Sequence, residues 1–400
     1  MTSYWLISKG WTSDKKSYKL REKISKSRVT MKRFCCRYLM TIVCLISCMI
    51  RLDASQSGVS YPSVTESSTE KGRENLLLLL SGEWVSRALY VVTKLEVADY
   101  LQDGPKSIQE IATFSQSNPE SLRRILHMLV GFGIFEERDD GVFMNNEASA
   151  LLAKSNPESL HALSLFYGED IHSSWDQLLN SINTGTPAFQ LTFKQPVFSY
   201  FKENPPKAAL FQEAMRGKSI AVIKSALSSY DFGQFGSIYD IGGGYGPFMS
   251  AILAQCPNVN GMVFDVPEVI DSIPKRNPQI VSSRCQLCAG DFFASVPKGG
   301  DAYLLKSVLH DWDDTKAEQI LKHCYQAMGS NSRLLIVEVV LLPKDQSVYA
   351  NCMDVLMLAV TGGKERTLAS FEQMLDKAEF ILERVYPTST EFSILEARRK

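Results

Sequence analysis

Along the 400-residue chain the spacing of apolar positions divides it into a helical half and an alternating half. From Leu76 apolar residues recur at helical spacing through Trp84, Ala88, Leu89, Val92 and Leu95, and the run closes at Asp103-Gly104-Pro105. Two short helices are predicted next, one opening at Ser107 and one at Asn118, where an Asn cap precedes Pro119 at the first helical position. Residues 131–144 read as a turn and a small hairpin, and helical spacing returns over 159–182 and 204–229. After Gly236 short apolar runs alternate with helical stretches, the mark of a parallel sheet covered on both faces. Strands are predicted at 238–241, 261–264, 285–289, 302–306, 334–340, 380–386 and 390–397. Only Pro387-Thr388-Ser389 separates the last two, so they can pair antiparallel at a sheet edge.

Ahead of this regular part the pattern is lost. Residues 1–33 are rich in Lys, Arg and Ser and read as a solvated basic arm. Segment 34–50 is apolar but broken by Arg37, which leaves an uncharged run too short for a comfortable bilayer span. Three readings stand for it: a membrane tether, a leader cleaved after a start at Met31, or a translated extension without a role. Residues 51–75 read as a linker. The expected division is therefore 1–75 as arm, hydrophobic segment and linker, 76–185 as a helical domain, and 186–400 as the catalytic domain, which is expected to work in the cytoplasm.

Composition narrows the partners. With 43 basic and 44 acidic residues the formal charge is −1, so nothing global favours nucleic acid. The helix, helix, hairpin order over 107–144 spells a winged-helix layout, but its second helix offers only Arg123, Arg124 and His127, and a DNA reader needs a basic face. The module is expected to pack against a partner subunit instead. Five of the nine cysteines lie in the later chain and read as buried free thiols. Cys285-x-x-Cys288 lacks the second ligand pair of a zinc site, and no metal is expected.

Candidate chemistry sits at successive strand ends, where open α/β sheets bind ligands. The first strand ends in Asp240 and the glycines 242, 244 and 246, which allow positive φ and close backbone approach. The second ends in Asp265, placed to accept from a ribose diol. The third ends in Asp291 and Phe292, an acid for an adenine amino group beside a ring that can cover it; the fourth runs from Lys306 to His310-Asp311-Trp312. Adenosine-binding groups without a Gly-Lys-Ser/Thr phosphate loop fit S-adenosylmethionine, and a sheet that closes on a hairpin is the methyltransferase variant of the doubly wound fold.

Six motifs then occur in register: Asp240-x-Gly-Gly-Gly-x-Gly246, Phe264-Asp265-x-Pro267, Gly290-Asp291-x-Phe293, Lys306-x-x-x-His310-Asp311-Trp312-x-Asp314, Glu338-x-x-Leu341-Leu342-Pro343 and Gly362-Gly363-Lys364-Glu365-Arg366-Thr367. Over about residues 75–398 the chain resembles the S-adenosylmethionine-dependent O-methyltransferases of plant phenolics, hydroxyindoles and bacterial aromatic polyketides. The resemblance implies a methyltransferase-type Rossmann α/β sheet with an antiparallel last strand, preceded by a helical, winged-helix-like domain that forms a homodimer. It implies Gly242, Asp265, Asp291, Phe292 and Lys306 as cofactor contacts, to which the strand-end reading adds Asp240 and Gly244. A phenol with a pKa near 10 needs a base, for which an imidazole is suited. His310 matches the family's base, and Glu338 and Glu365 match the acids that flank it.

One departure bears on the substrate. Plant phenolic members carry an Asn-Pro insertion before Gly-Gly-Lys-Glu-Arg-Thr, whereas here Thr361 runs straight into Gly362, which speaks against a lignin precursor. Met353 and Met357, four apart on one helical face, read equally as a ring clamp or as core. The expected function is methylation of a hydroxyl on a small aromatic molecule, and the alternative is a homologue that binds the cofactor without catalysis.

Overall fold

The computed structural model describes residues 68–342 and 347–400. The basic arm, segment 34–50 and Pro343 of the fifth motif lie outside the described residues. Helix α1 (Ser68–Leu80) begins inside the stretch expected to be linker, and α2 (Gly82–Lys94) follows after one turn.

The helical module is built on α2, α3 (Ile108–Phe114) and α4 (Pro119–Gly131). Ser107 and Glu110 close a capping box on α3, and Asn118 Oδ1 accepts from Ser121 N at 2.9 Å to start α4. The faces these caps align bury Val92, Ile111, Leu126 and Leu129 against Phe135 and Phe143. The expected hairpin is β2 (Glu136–Glu137) and β3 (Val142–Met144), and the two-residue β1 (Lys106–Ser107) adds a third strand beside β3. On α4, Arg123 and His127 both turn to Glu137, at 3.3 and 2.9 Å.

Residues 159–182 form no continuous helix. His161–Phe166 runs into a π turn over Tyr167–Ile171, where Glu169 leaves helical geometry (φ −104°, ψ −113°). The cause is tertiary: Tyr90 of α2 presses on Gly168, whose Cβ would lie 2.3 Å from the ring, and Arg87 donates to the Gly168 carbonyl. Phe166, Phe189 and Phe201 bury with Ala359 and Val360 to make an aromatic cluster. Helix α5 (Pro205–Ser229), opened by proline in its first turn, carries this cluster to the sheet.

The main sheet has the order β6–β5–β4–β7–β8–β11–β10. Its members are β4 (Ser237–Ile241), β5 (Asn260–Asp265), β6 (Cys285–Ala289), β7 (Ala302–Lys306), β8 (Arg333–Leu341), β10 (Phe380–Pro387) and β11 (Phe392–Arg399); the short β9 (Arg366–Thr367) lies beside the end of β8. β4 to β8 run parallel, with β5, β7 and β8 buried along most of their length and the edge strand β6 partly exposed, and β11 runs antiparallel between β8 and β10. The hairpin thus inserts its second strand and leaves β10 at the edge. Of the five later cysteines, Cys256, Cys285 and Cys324 are buried, Cys288 is half-buried and Cys352 is exposed, so burial does not hold for the last.

Chain order reverses at β4, with β5 on one side and β7 on the other. The crevice at its carboxyl end is where this topology places a ligand. A polar cleft of about 710 Å³ lies at the opposite edge, lined by Gln234, Asp301, Arg333 and Glu396, remote from the strand-end residues.

Candidate active site

The carboxyl end of β4 delivers a backbone with no side chains in the way. Gly242 N donates to the Phe264 carbonyl at 2.8 Å with φ at +70°. A Cβ there would lie 2.9 Å from Val308 Cγ2 and 3.5 Å from Phe292 Cε1, so the turn requires glycine. Asp265 at the end of β5 fixes the turn: Oδ2 accepts from Gly244 N and Oδ1 from Val266 N, both at 2.8 Å. Burial lifts its carboxyl to about 6.

Asp240 is buried beneath the same turn, pushed up to about 7 by desolvation, and its Oδ2 has no partner among the described residues. Lys306 closes β7 and donates to Ser219 Oγ at 2.7 Å and Ser307 Oγ at 3.2 Å; burial lowers its pKa. Asp291 is exposed and holds Phe293 N at 2.8 Å, while Phe292 stands edge-on to Phe293 and Trp312. The seven expected cofactor residues thus lie at or just beyond the carboxyl ends of β4 to β7. An unpartnered buried carboxylate oxygen, a bare glycine backbone and a flat aromatic wall fit a ligand with donors and a purine.

Past Lys306 the chain turns sharply. Ser307 takes a left-handed φ of +53°, and one 3-10 turn at Leu309–Asp311 presents His310. Three separate segments converge on this buried imidazole. His310 Nδ1 lies 2.8 Å from Glu365 Oε1 and 3.6 Å from Glu338 Oε2. Glu338, at the buried heart of β8, spends Oε1 on the N–H groups of Val308 and Leu309, each at 3.0 Å. Burial raises both acids, Glu365 to about 8. Asp311 rises to about 6 for the same reason.

With Nδ1 turned to the carboxylates, Nε2 lies 3.9 Å from Asp311 Oδ1. The donors of His310, Glu338 and Glu365 lie within 4.8 Å of one another, a spacing that suits a metal. Here a direct hydrogen bond joins Nδ1 to Glu365 Oε1 and backbone amides take Glu338 Oε1, while Glu338 Oε2 and Glu365 Oε2 are buried without a hydrogen-bond partner among the described residues.

The loop before β9 holds this turn in place. Arg366, buried, donates to the Leu309 carbonyl at 2.7 Å and the Trp312 carbonyl at 2.8 Å, and Lys364 N donates to the His310 carbonyl at 2.9 Å. Gly363 packs so closely that a Cβ would lie 1.9 Å from the His310 carbonyl oxygen. Asp313 caps α6 (Asp314–Ala327), accepting from Lys316 N at 2.9 Å. Arg366 stood inside a recognised motif, yet its role is visible only in three dimensions. Lys218 on α5 was missed altogether: its Nζ reaches Met353 Sδ at 3.2 Å on α7 (Val348–Val360), beside the triad. The only signal was a lysine on a helix whose neighbours Ala214, Gly217 and Ser219 are buried. Both Met353 and Met357 are buried.

Residues 77–155 match the O-methyltransferase dimerisation domain, and residues 175–381 match the O-methyltransferase domain. The chain belongs to the S-adenosylmethionine-dependent O-methyltransferase family. Among this family's members it is 38% identical over 324 residues to the phenazine O-methyltransferase PhzM of Lysobacter antibioticus, covering 81% of this chain and 95% of that one. It is also 30% identical to the phenazine-1-carboxylate N-methyltransferase of Pseudomonas aeruginosa, over 81% of this chain and 97% of the relative. The crystal structure of NcsB1, an O-methyltransferase of neocarzinostatin biosynthesis in complex with S-adenosylmethionine and 2-hydroxy-5-methyl naphthoic acid, superposes with a TM-score of 0.67. That pair is 27% identical and covers 86% of this chain and all of the other. This family member is therefore an S-adenosylmethionine-dependent methyltransferase, and membership alone leaves the accepting atom open between oxygen and nitrogen.

Proposed function

We propose that the chain methylates a hydroxyl of a small aromatic molecule, with His310 as general base. The observation that carries this reading is the His310–Glu365–Glu338 unit. An amine acceptor already has a lone pair, whereas a phenol with a pKa near 10 must lose a proton, and a buried imidazole braced by two acids supports that chemistry. When bound, S-adenosylmethionine supplies a methyl group on a sulfonium. Asp240, Gly242, Gly244, Asp265, Asp291, Phe292 and Lys306 would hold it, the glycines by backbone approach and the acids by accepting hydrogen bonds.

The chain's own residues then handle one proton. As the substrate oxygen forms its new bond, Nε2 of His310 takes the hydroxyl proton, and the ionised acids at Nδ1 stabilise the imidazolium. Burial holds a proton on Glu365 up to about pH 8. In that state the Glu365 O–H donates to Nδ1, and the ring carries its own proton on Nε2, which cannot accept. Once Glu365 ionises, Nδ1–H donates to it and Nε2 is bare. Catalysis is thus expected to rise with pH through about 8.

A second copy of the chain is the proposed cover for Leu77, Leu79, Leu80 and Trp84, which stand exposed on α1 and α2 within the dimerisation match. The helical domain is proposed to end near residue 185. The test of the reaction is a methyl-transfer screen of phenols, hydroxyindoles, polyketides and aromatic amines with a labelled donor, followed by product structure determination. Label on oxygen supports the reading, label on nitrogen overturns it, and cofactor binding with no product from any acceptor favours the non-catalytic alternative.

A further inference from the structure

Lys218 is partly buried on α5, and its surroundings do not satisfy it. Its Nζ has three N–H groups, yet its hydrogen-bond acceptor is the thioether of Met353 at 3.2 Å, and a thioether accepts weakly. Among the described residues no carboxylate lies within the 4.0 Å of an ion pair. Of the nearby acids, Glu365 turns Oε1 to His310 Nδ1 and Glu338 gives Oε1 to two backbone amides, and although the Oε2 of each is unpartnered, neither lies within ion-pair distance of Lys218 Nζ. One turn earlier on the same face, Met215 packs into the aromatic cluster with Phe211 and Leu356. The ammonium therefore stands between the aromatic cluster and the His310–Glu338–Glu365 group.

We infer that Lys218 is a specificity-determining residue that receives a carboxylate on the aromatic ring of the substrate, so that the preferred acceptors are hydroxylated aromatic acids. Lys306 is the cation at the cofactor end, tied to Ser219, which leaves Lys218 for the acceptor side. A compact ammonium that is costly to desolvate unpaired gains most from an anion delivered with the ligand. In agreement, burial and then the like charge of Lys306 pull the Lys218 pKa down to about 8, against the pull of Glu365, Asp311 and Glu338.

The inference rests on the proposed hydroxyl-aromatic acceptor, and its test separates the two. The full chain is saturated with S-adenosylhomocysteine and titrated calorimetrically with 3-hydroxy-2-naphthoate or 2-naphthol. The wild type should bind the acid about tenfold or more tightly, the scale of one charge-assisted hydrogen bond. Lys218→Met should erase that advantage and Lys218→Arg should retain most of it, with melting curves confirming that both variants fold. Equal affinity for the two probes in the wild type overturns the inference. So does an equal loss of both in Lys218→Met, which would make the lysine a counter-ion to the acids. A tenfold loss of S-adenosylhomocysteine affinity in Lys218→Met would assign the cation to the cofactor carboxylate and likewise overturn it. O-methylated naphthol without preference for the acid defeats the inference alone; preference for the acid with the methyl on another atom supports it and defeats the proposed reaction.

Discussion

Replacing Glu365 by Gln removes one charge from the triad while keeping its shape. The carboxylate oxygen sits 2.8 Å from His310 Nδ1, and the Glu365 N–H to Asp354 Oδ1 bond at 2.9 Å does not involve the side chain. At an effective dielectric of about 20, two unit charges at that separation attract by about 6 kcal/mol, which bounds the effect from above. An amide oxygen still accepts from Nδ1–H, and Glu338 remains 3.6 Å from Nδ1, so the net loss is that of a charged hydrogen-bond partner. That is about 1.5–3 kcal/mol, a fall in kcat of about ten- to 150-fold. The comparison belongs at pH 9, where the wild-type carboxyl, raised to about 8, is ionised. Single-turnover methyl transfer across pH 6–10 gives the rate, and calorimetry with S-adenosylhomocysteine gives the cofactor affinity, expected to change by less than about twofold because Glu365 lies on the acceptor side of the turn. The rise in wild-type rate through about pH 8 should vanish in the variant. A fall of less than about threefold with the pH profile intact would refute the reasoning.

Two further perturbations address the scaffold. Gly363→Ala forces a Cβ to within 1.9 Å of the His310 carbonyl oxygen, so the turn must shift; kcat should fall by about a hundredfold, the cost of a misplaced catalytic group, and unchanged turnover would show that the loop yields instead. Asp240 is held near 7 in the folded chain against 3.8 as its ordinary value, so between these values the folded state binds a proton that the unfolded state lacks. Stability from this group is complete below the lower value and is lost as pH rises through about 7. Cofactor-free protein should therefore melt at lower temperature at pH 8.5 than at pH 5.5, and Asp240→Asn should flatten part of that decline. Asp265, Asp311 and Glu365 act with the same sign and supply the remainder, and an equally steep decline in the variant would contradict the assignment.

The strands were legible because each carries its own reason to be a strand. β5, β7 and β8 are buried along most of their length and read as apolar runs, and the ends of β4 to β8 shift by at most a residue or so from the expected ones. The start of β11 moves from residue 390 to Phe392 because Thr388 and Thr390 hydroxyls build the turn before it. What failed to show in the sequence is what depends on distant partners. The break at Tyr167–Ile171 follows from the Tyr90 ring, some eighty positions earlier, and no local spacing announces it. Helix α1 begins in a polar stretch that composition assigns to linker. For the site, His310, Glu338 and Glu365 were found through motifs, and the structure adds their mutual orientation, with Nδ1 inward. Lys218 has no motif, and its neighbour Met353 lies 135 residues away, so only packing reveals it.

The central claim is that His310 takes the acceptor's proton. The most direct measurement is single-turnover methyl transfer to a phenolic acceptor by His310→Gln, alongside its affinity for S-adenosylhomocysteine. The rate should fall by about two to four powers of ten while cofactor affinity stays close to wild type. A variant that turns over like the wild type would contradict the claim.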